Sequence, residues 1–330
     1  MRTVNASVVW DAHSCLPIEA GIDFDVLERH RRAGFDFVSI NIAMDMTPLP
    51  SVLRAIAWFR DRIASSPDKY VLAEHIDDVE AARATGRLAV AFDIEGAACL
   101  LGRPEMVDLY ARLGVRMMHL AYNLNNAYSA GCHGEDTGLT PLGAEVVRAA
   151  NRAGIVMDCS HTSLRASLQI MELSERPVVF SHSNVAALAP GRRNIVDEQI
   201  AACARTGGVI GICAYARFLG AVPGTADQMV RHIDHIAQTV GVDHVGLGWD
   251  YSYPDEGVPL AASEEEFRRW FPDAAAGRDA ADTPESLQVP LEHRPLIGEG
   301  LSRLGYPQAA IDKVMGLNFA RVAAACWPAR

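Results

Sequence analysis

Leu88-Ala89-Val90-Ala91-Phe92-Asp93-Ile94-Glu95-Gly96 is the stretch on which the fold turns. Its first five residues are apolar without interruption, as expected of a parallel strand covered on both faces. Two carboxylates and a glycine then close it. Working outward, seven further runs share this character: Val8–His13, Phe37–Met44, Arg116–Tyr122, Ile155–His161, Val178–His182, Val209–Tyr215 and Val245–Asp250. Helical patterns lie between them, at Phe24–Ala33, Ser51–Ala64, Pro104–Leu113, Gly143–Ala153, Leu164–Leu173, Asp197–Arg205 and Thr225–Val240. Glycines stand at many of their stops: Gly34, Gly114, Gly154, Gly207 and Gly241. Strand and helix alternating eight times predict an α/β protein, a closed (β/α)8 barrel of the TIM type. A doubly wound open sheet fits less well, because no GxGxxG turn follows the first strand.

Residues 252–290 break the rhythm with Pro, Asp, Glu and Ala and one aromatic cluster, Phe267, Trp270 and Phe271. They read as an insertion after the last strand, near the mouth of the barrel. Helices near Leu291–Leu304 and Gln308–Ala325 close the chain. With no internal repeat and no low-complexity linker, residues 1–330 read as a single domain.

The ends of the runs carry the chemistry. The first ends Trp10-Asp11-Ala12-His13-Ser14-Cys15, the third Asp93-Ile94-Glu95 and the fifth Asp158-Cys159-Ser160-His161. The sixth ends Phe180-Ser181-His182-Ser183 and the eighth Gly248-Trp249-Asp250. In a (β/α)8 barrel these ends converge on one face, where active sites form. Imidazoles and carboxylates gathered there suit a zinc-like divalent ion. A single histidine at a strand end is more often a hydrogen-bonded structural residue; three of them with Glu95 and Asp250 are harder to obtain by chance. The remaining histidines read as structural or solvated: His30, His232 and His235 on helical patterns, His75, His133, His244 and His293 in loops or at element starts.

Composition narrows the partners. The 330 residues carry a formal charge of −11 and no block of Lys and Arg, which disfavours nucleic acid and anionic membranes. Seven cysteines, odd in number and without a CxxC pair, read as reduced thiols of a cytoplasmic protein. No signal peptide, membrane span of about 20 apolar residues or anchor tail is expected.

Several motifs together resemble the membrane (renal) dipeptidase family, peptidase family M19, in a divergent bacterial-type form. They are Asp11-Ala12-His13-Ser14-Cys15-Leu16-Pro17, Asp93-Ile94-Glu95-Gly96, Gly138-Leu139-Thr140-Pro141-Leu142-Gly143, Asp158-Cys159-Ser160-His161 and Phe180-Ser181-His182-Ser183. Arg192-Arg193-Asn194-Ile195 with Asp197, His244-Val245-Gly246-Leu247-Gly248-Trp249-Asp250 and Gly316-Leu317-Asn318-Phe319 complete the order. The resemblance implies a two-zinc hydrolase of dipeptides, including those with a C-terminal D-residue. It makes Glu95 the bridge between the metals, His161 and His182 ligands of the second metal, and His13 a ligand of the first. It assigns Arg193 to the substrate carboxylate and Asp250 to proton relay toward the leaving amine. It places Tyr122 and Asn123 beside the substrate. A homodimer is compatible with the resemblance and with the aromatic-rich insertion.

Two positions depart from the family. Cys15 stands where an Asp ligand is usual. Either its thiolate binds the first metal, or it is a small buried thiol and a single zinc remains. Tyr122 stands where a substrate-contacting His is usual; a phenol donates one hydrogen bond but carries no charge. His119, three residues earlier, is expected on the opposite face of an alternating strand and so cannot replace it. These departures leave two alternatives: a non-peptide amidohydrolase or lactonase on the same scaffold, and a catalytically weak binding protein.

Overall fold

The computed structural model describes residues 7–253, 263–272 and 283–329. Its centre is a curled parallel sheet. Among the described residues ten strands are formed: β1 (Trp10–Cys15), β2 (Phe37–Met44), β3 (Tyr70–Leu72), β4 (Leu88–Glu95), β5 (Val115–His119), β6 (Val156–Asp158), β7 (Val178–Val179), β8 (Ile210–Ile212), β9 (Val245–Leu247) and β10 (Tyr251–Ser252). A path of seven runs β10-β1-β2-β4-β5-β6-β7, with β3 paired to the start of β4, while β8 and β9 pair with each other. A parallel bridge joins Phe180 to Ile210, and Asp250 N donates to His13 O at 2.7 Å. The α/β class and the alternation of strands and helices match the sequence expectation.

The later strands are shorter than their apolar runs. In the fourth, fifth, sixth and eighth runs pairing stops before Tyr122, His161, His182 and Asp250. The backbone turns away there, and these side chains project from loops rather than from the sheet. The short strand β3 and the helix Ile76–Ala84 went unread in the sequence. Three residues of strand and nine of helix give too little periodicity to register. Of the insertion at 252–290, residues 254–262 and 273–282 lie outside the described residues. The helix Glu264–Trp270 does lie at the mouth: Asn123 Nδ2 donates to Trp270 O at 2.7 Å, and Phe271 packs edge-on to Tyr122.

Strand alternation sorts side chains into two cores. Val38, Ile40, Val90, Phe92, Met118 and Met157 face outward into a large apolar layer under the helices. Phe37, Ala89, Ala91, Met117, Val156 and Val179 face inward, packed on Phe319 and Ala323 of the closing helix Asn318–Cys326 and on Trp327 just after it. Two residues further along, the same inward positions become polar. Ser39 and Asn41, Asp93 and Glu95, His119 and Asp158 are all buried.

Local chemistry anchors the loops that bear the site. Thr140 Oγ1 caps the helix Pro141–Ala153 by accepting from Gly143 N at 3.0 Å, with Pro141 at the first turn. Ser163 Oγ caps Leu164–Leu173 by accepting from Ala166 N at 3.2 Å, two residues after His161. Each cap contributes about 1 kcal/mol. At Gly248 a Cβ would lie 1.6 Å from Ser181 O, so only glycine lets the end of β9 approach the segment carrying His182. At Gly96, φ +105° combines with Asp45 oxygen 2.5 Å from a would-be Cβ. That close approach lets the Asp45 carboxylate accept from Tyr122 N and Ala98 N at 2.9 and 3.1 Å.

Candidate metal centre

Glu95 ends β4 with its side chain buried at the inner mouth of the sheet. Its Oε1 lies 3.3 Å from His13 Nε2, 3.2 Å from His161 Nε2 and 3.4 Å from His182 Nε2. His161 Nε2 and His182 Nε2 are 2.9 Å apart. Four residues separated by up to 169 positions thus meet around one oxygen. The structure brings His13, Glu95, His161 and His182 together in one buried pocket. Asn41 Nδ2 donates to Glu95 Oε2 at 2.8 Å, which keeps Oε1 turned toward the rings.

Each imidazole is held from behind. His161 Nδ1 donates to Asn123 Oδ1 at 2.7 Å. His182 Nδ1 is 2.6 Å from Ser181 Oγ, and His13 Nδ1 is 3.2 Å from Asp93 Oδ1. Asp93 is fixed by Ser39 Oγ, which donates to its Oδ2 at 2.5 Å. At His161 and His182, Nδ1 directed at its backing oxygen leaves Nε2 its lone pair for the centre, the usual arrangement behind a metal-binding imidazole. Burial, reinforced by the Arg193 guanidinium and the neighbouring rings, holds His161 and His182 well below the usual histidine range, so both are neutral. Burial pushes the Glu95 carboxyl up, against the pull of His13 and His119. For His13 burial works against the charged ring, yet Asp93, Glu95 and Cys15 outweigh it and raise its pKa. A carboxylate with three inward imidazoles is a donor set that fits a divalent ion. His13, Glu95 and His182 form one group of ligand-type atoms within 4.8 Å, and His13, Cys15 and Asp250 another.

Among the described residues, four other than glycine have positive φ: Leu101, Asn123 (58°), His161 (65°) and Asp250 (56°). Three of the four are at this centre. Such backbone costs of order 1–3 kcal/mol per residue and persists where surrounding structure over-determines it. Here the left-handed turn swings each side chain back over the mouth after its strand has ended.

Asp250 sits at the rim, its side chain one fifth exposed, with Oδ1 3.8 Å from His13 Nε2. Burial pushes its pKa up. Arg193 is buried, donating from Nη2 to His182 O at 2.8 Å and from Nη1 to Ser183 Oγ at 3.2 Å, with Nη2 3.2 Å from His161 Nε2. Its Nε has no partner, and no carboxylate pairs with it among the described residues. A cavity of about 530 Å³ opens beside His161 and Arg193, bordered by Cys132, Asp136, Leu164, Arg192 and Val196. Tyr122 lies flat over His161 at 4.3 Å between ring centroids. The side chain of Asn123 is engaged at both ends, by His161 and by Trp270 O. The backbone of His133 pins the same turn, donating to Asn123 O at 2.7 Å.

One expectation is overturned. His119 does not point away from the site; β5 pairs it with Glu95 on one side and Asp158 on the other. Its Nε2 is 3.0 Å from Asp158 Oδ2, its Nδ1 donates to Ile94 O at 2.9 Å, and its ring stands edge-on to His182. Strand alternation does not extend to Tyr122, because β5 ends at His119 and Tyr122 reaches the mouth from a loop. Sequence reading also passed over Asp93, Asn41, Ser39 and Cys213. The one signal was their spacing from recognised residues on alternating strands, since Asp93 lies two residues before Glu95.

A family profile described as "Membrane dipeptidase (Peptidase family M19)" matches residues 23–264. The chain belongs to the membrane dipeptidase family. A dipeptidase of Clonostachys rogersoniana, verJ, is 30% identical over 88% of the chain and 68% of its own length. Several other fungal relatives are matched over only about half their length. Among solved structures, an amidohydrolase from Pseudomonas aeruginosa superposes with a TM-score of 0.83 at 24% identity, covering 97% of each chain. A metallo peptidase from Rhodobacter sphaeroides, liganded with a phosphinate mimic of the dipeptide L-Ala-D-Ala, gives 0.75 at 20% identity, over 98% of this chain and 100% of its own. No helix among the described residues is long and apolar enough to cross a membrane.

Proposed function

We propose that this protein is a metal-dependent dipeptidase, with two zinc ions held on a closed (β/α)8 barrel spanning residues 1–330. One observation carries the reading. Three buried imidazoles turn Nε2 toward a single Glu95 oxygen, next to a buried arginine that lacks an anionic partner among the described residues. The Phe180–Ile210 bridge and the Asp250 N–His13 O bond support closure of the sheet. Seven cysteines, all free, support a reducing compartment such as the cytoplasm.

His13, Glu95, His161 and His182 would hold the metals. A divalent ion bound there supplies a Lewis acid for the scissile carbonyl and a nucleophilic water near neutral pH. The rest follows from the side chains. The Arg193 guanidinium takes the substrate's terminal carboxylate in a bidentate pair, relieving an otherwise uncompensated buried charge. Asp250, its pKa raised by burial, takes a proton at the mouth and hands it to the amide nitrogen as the C–N bond breaks. The Tyr122 phenol, kept protonated by burial, donates to the oxygen that gains charge. The neighbour bound to an L-Ala-D-Ala mimic makes D-residues at the C-terminal position the first substrates to try.

The test is a panel of L-L and L-D dipeptides, N-acyl amino acids and lactones, run on protein of measured metal content. Dipeptide turnover that chelation abolishes and zinc restores is the expected result. Turnover of N-acyl amino acids or lactones alone would make the protein an amidohydrolase or lactonase. Absence of bound metal would remove the hydrolytic reading altogether.

A further inference from the structure

Two thiols flank the carboxylate of Asp250. Cys213 Sγ, from the loop after β8, donates to Asp250 Oδ2 at 3.3 Å. Cys15 Sγ, at the end of β1, lies 3.8 Å from Asp250 Oδ1 and 3.4 Å from His13 Nε2. Cys15 and His13 are two residues apart on one strand, so both face the mouth. The Cys15 backbone is tied on the far side, its carbonyl accepting from Tyr253 N at 3.0 Å.

These separations match ligands around one small ion. Zinc bonds sulfur at about 2.3 Å and nitrogen or oxygen at about 2.0–2.2 Å. Tetrahedral angles then place ligand atoms about 3.4–3.6 Å apart. His13 Nε2 is 3.4 Å from Cys15 Sγ and 3.3 Å from Glu95 Oε1. Asp250 Oδ1 stands 3.8 Å from both His13 Nε2 and Cys15 Sγ, bordering the fourth side. Across that distance the Cys15 thiol donates a weak hydrogen bond to Asp250 Oδ1. The Cys213 contact fixes the other Asp250 oxygen and leaves Oδ1 facing this gap.

Resting on the metallohydrolase reading above, we propose that the first metal position is a thiolate site formed by His13, Cys15 and Glu95, open toward Asp250. Cys15 binds as thiolate, its S–H proton passing to solvent as the S–metal bond forms. Cys213 is a positioning residue acting through Asp250. A thiolate makes the position favour zinc, cobalt and cadmium over magnesium and manganese, and makes it a weaker Lewis acid than an oxygen-only site.

Cobalt(II) loaded into the metal-free protein is the test, read by absorption, by metal count and by X-ray absorption at the cobalt edge. The proposal expects two ions per chain, a thiolate-to-cobalt charge-transfer band in the near ultraviolet, and a sulfur scatterer at about 2.3 Å in wild type. In Cys15→Ser the band is lost and the count falls toward one; in Cys213→Ala the band persists. Cobalt bound without band or sulfur scatterer would overturn the thiolate site while leaving the metal centre standing. Band loss in Cys213→Ala but not in Cys15→Ser would also overturn it. No cobalt bound at all would refute the metal centre itself. The wild-type X-ray measurement decides the point should Cys15→Ser fail to fold.

Discussion

Two clusters of buried polar groups share the inside of this sheet, and they are built on opposite rules. At the mouth, His13, His161 and His182 crowd around one oxygen of Glu95, and Arg193 stands with no carboxylate partner among the described residues. One step deeper and to the side, histidines are matched with carboxylates. His119 faces Asp158 at 3.0 Å, and His30 lies between Asp11 Oδ2 at 2.8 Å and Tyr253 OH at 2.7 Å. A charge-matched pair offsets its own charges and serves the fold. Convergence of donors without a complement leaves an electrostatic demand that something outside the chain must meet. The same residue types therefore serve structure in one cluster and prepare chemistry in the other.

The contrast fails most visibly if Glu95 proves dispensable. Glu95→Gln keeps the shape and removes the charge shared by the three rings. We expect dipeptide kcat/KM to fall by at least about 10³, some 4 kcal/mol of transition-state stabilisation, with metal content reduced. Near-normal turnover would put Glu95 among the merely matched groups.

His119→Ala addresses the deeper cluster and should act on stability rather than on metal content. It leaves Asp158 buried without its cation, a loss of about 3 kcal/mol by urea denaturation. The pH dependence has a definite sign. The carboxylates of Asp158 and Glu95 raise the His119 pKa despite burial, so its contribution is whole below the ordinary 6.5 and fades as pH climbs through the folded value. His119, with Ser181 and Ser160, holds Asp158 well below its ordinary 3.8 despite burial; its share is whole above that value and is lost as pH falls further. The gap between metal-free wild type and His119→Ala should thus be widest between about pH 4 and 6.5. A gap that is flat with pH would show that the two are not an ion pair.

Arg193→Ala separates an anion receptor from a loop brace. Loss of a charge-assisted contact worth about 2 kcal/mol should raise KM for dipeptides roughly 30-fold with kcat little changed. An unchanged KM would assign the arginine to holding His182 O and Ser183. A smaller effect is expected at Asn123→Ala, which frees His161 to rotate. Zinc affinity should drop roughly 10-fold, as for removal of other groups behind metal-bound imidazoles, measured by competition with a chelator. No change would mean that burial alone orients the ring.

Much of this could be read before any coordinates. The runs Phe37–Met44 and Leu88–Glu95 became strands with those bounds, and helices Leu164–Leu173 and Asp197–Arg205 were bounded as expected. The ends of the runs pointed to His13, Glu95, His161 and His182 because a parallel sheet delivers all its strand ends to one face. His119 was misread because period-two alternation holds only while a strand lasts, and β5 stops before Tyr122. Cys15 was left open because sequence states which atom is available, not what stands 3.4 Å away from it.

The chain's own pattern of apolar runs, glycine stops and terminal ligand-type residues determined an α/β parallel fold with a polar mouth and named most of the groups there. Tertiary structure alone decided which nitrogen of each ring faces the centre, which carboxylates are already neutralised, and that Arg193 is not. Those outcomes depend on contacts such as Asn123 with His161 and Asp93 with His13, and on left-handed turns at Asn123, His161 and Asp250. Apolar periodicity is a local property imposed by burial. Hydrogen-bond matching is settled only when distant segments share one low-dielectric space and compete for the same partners.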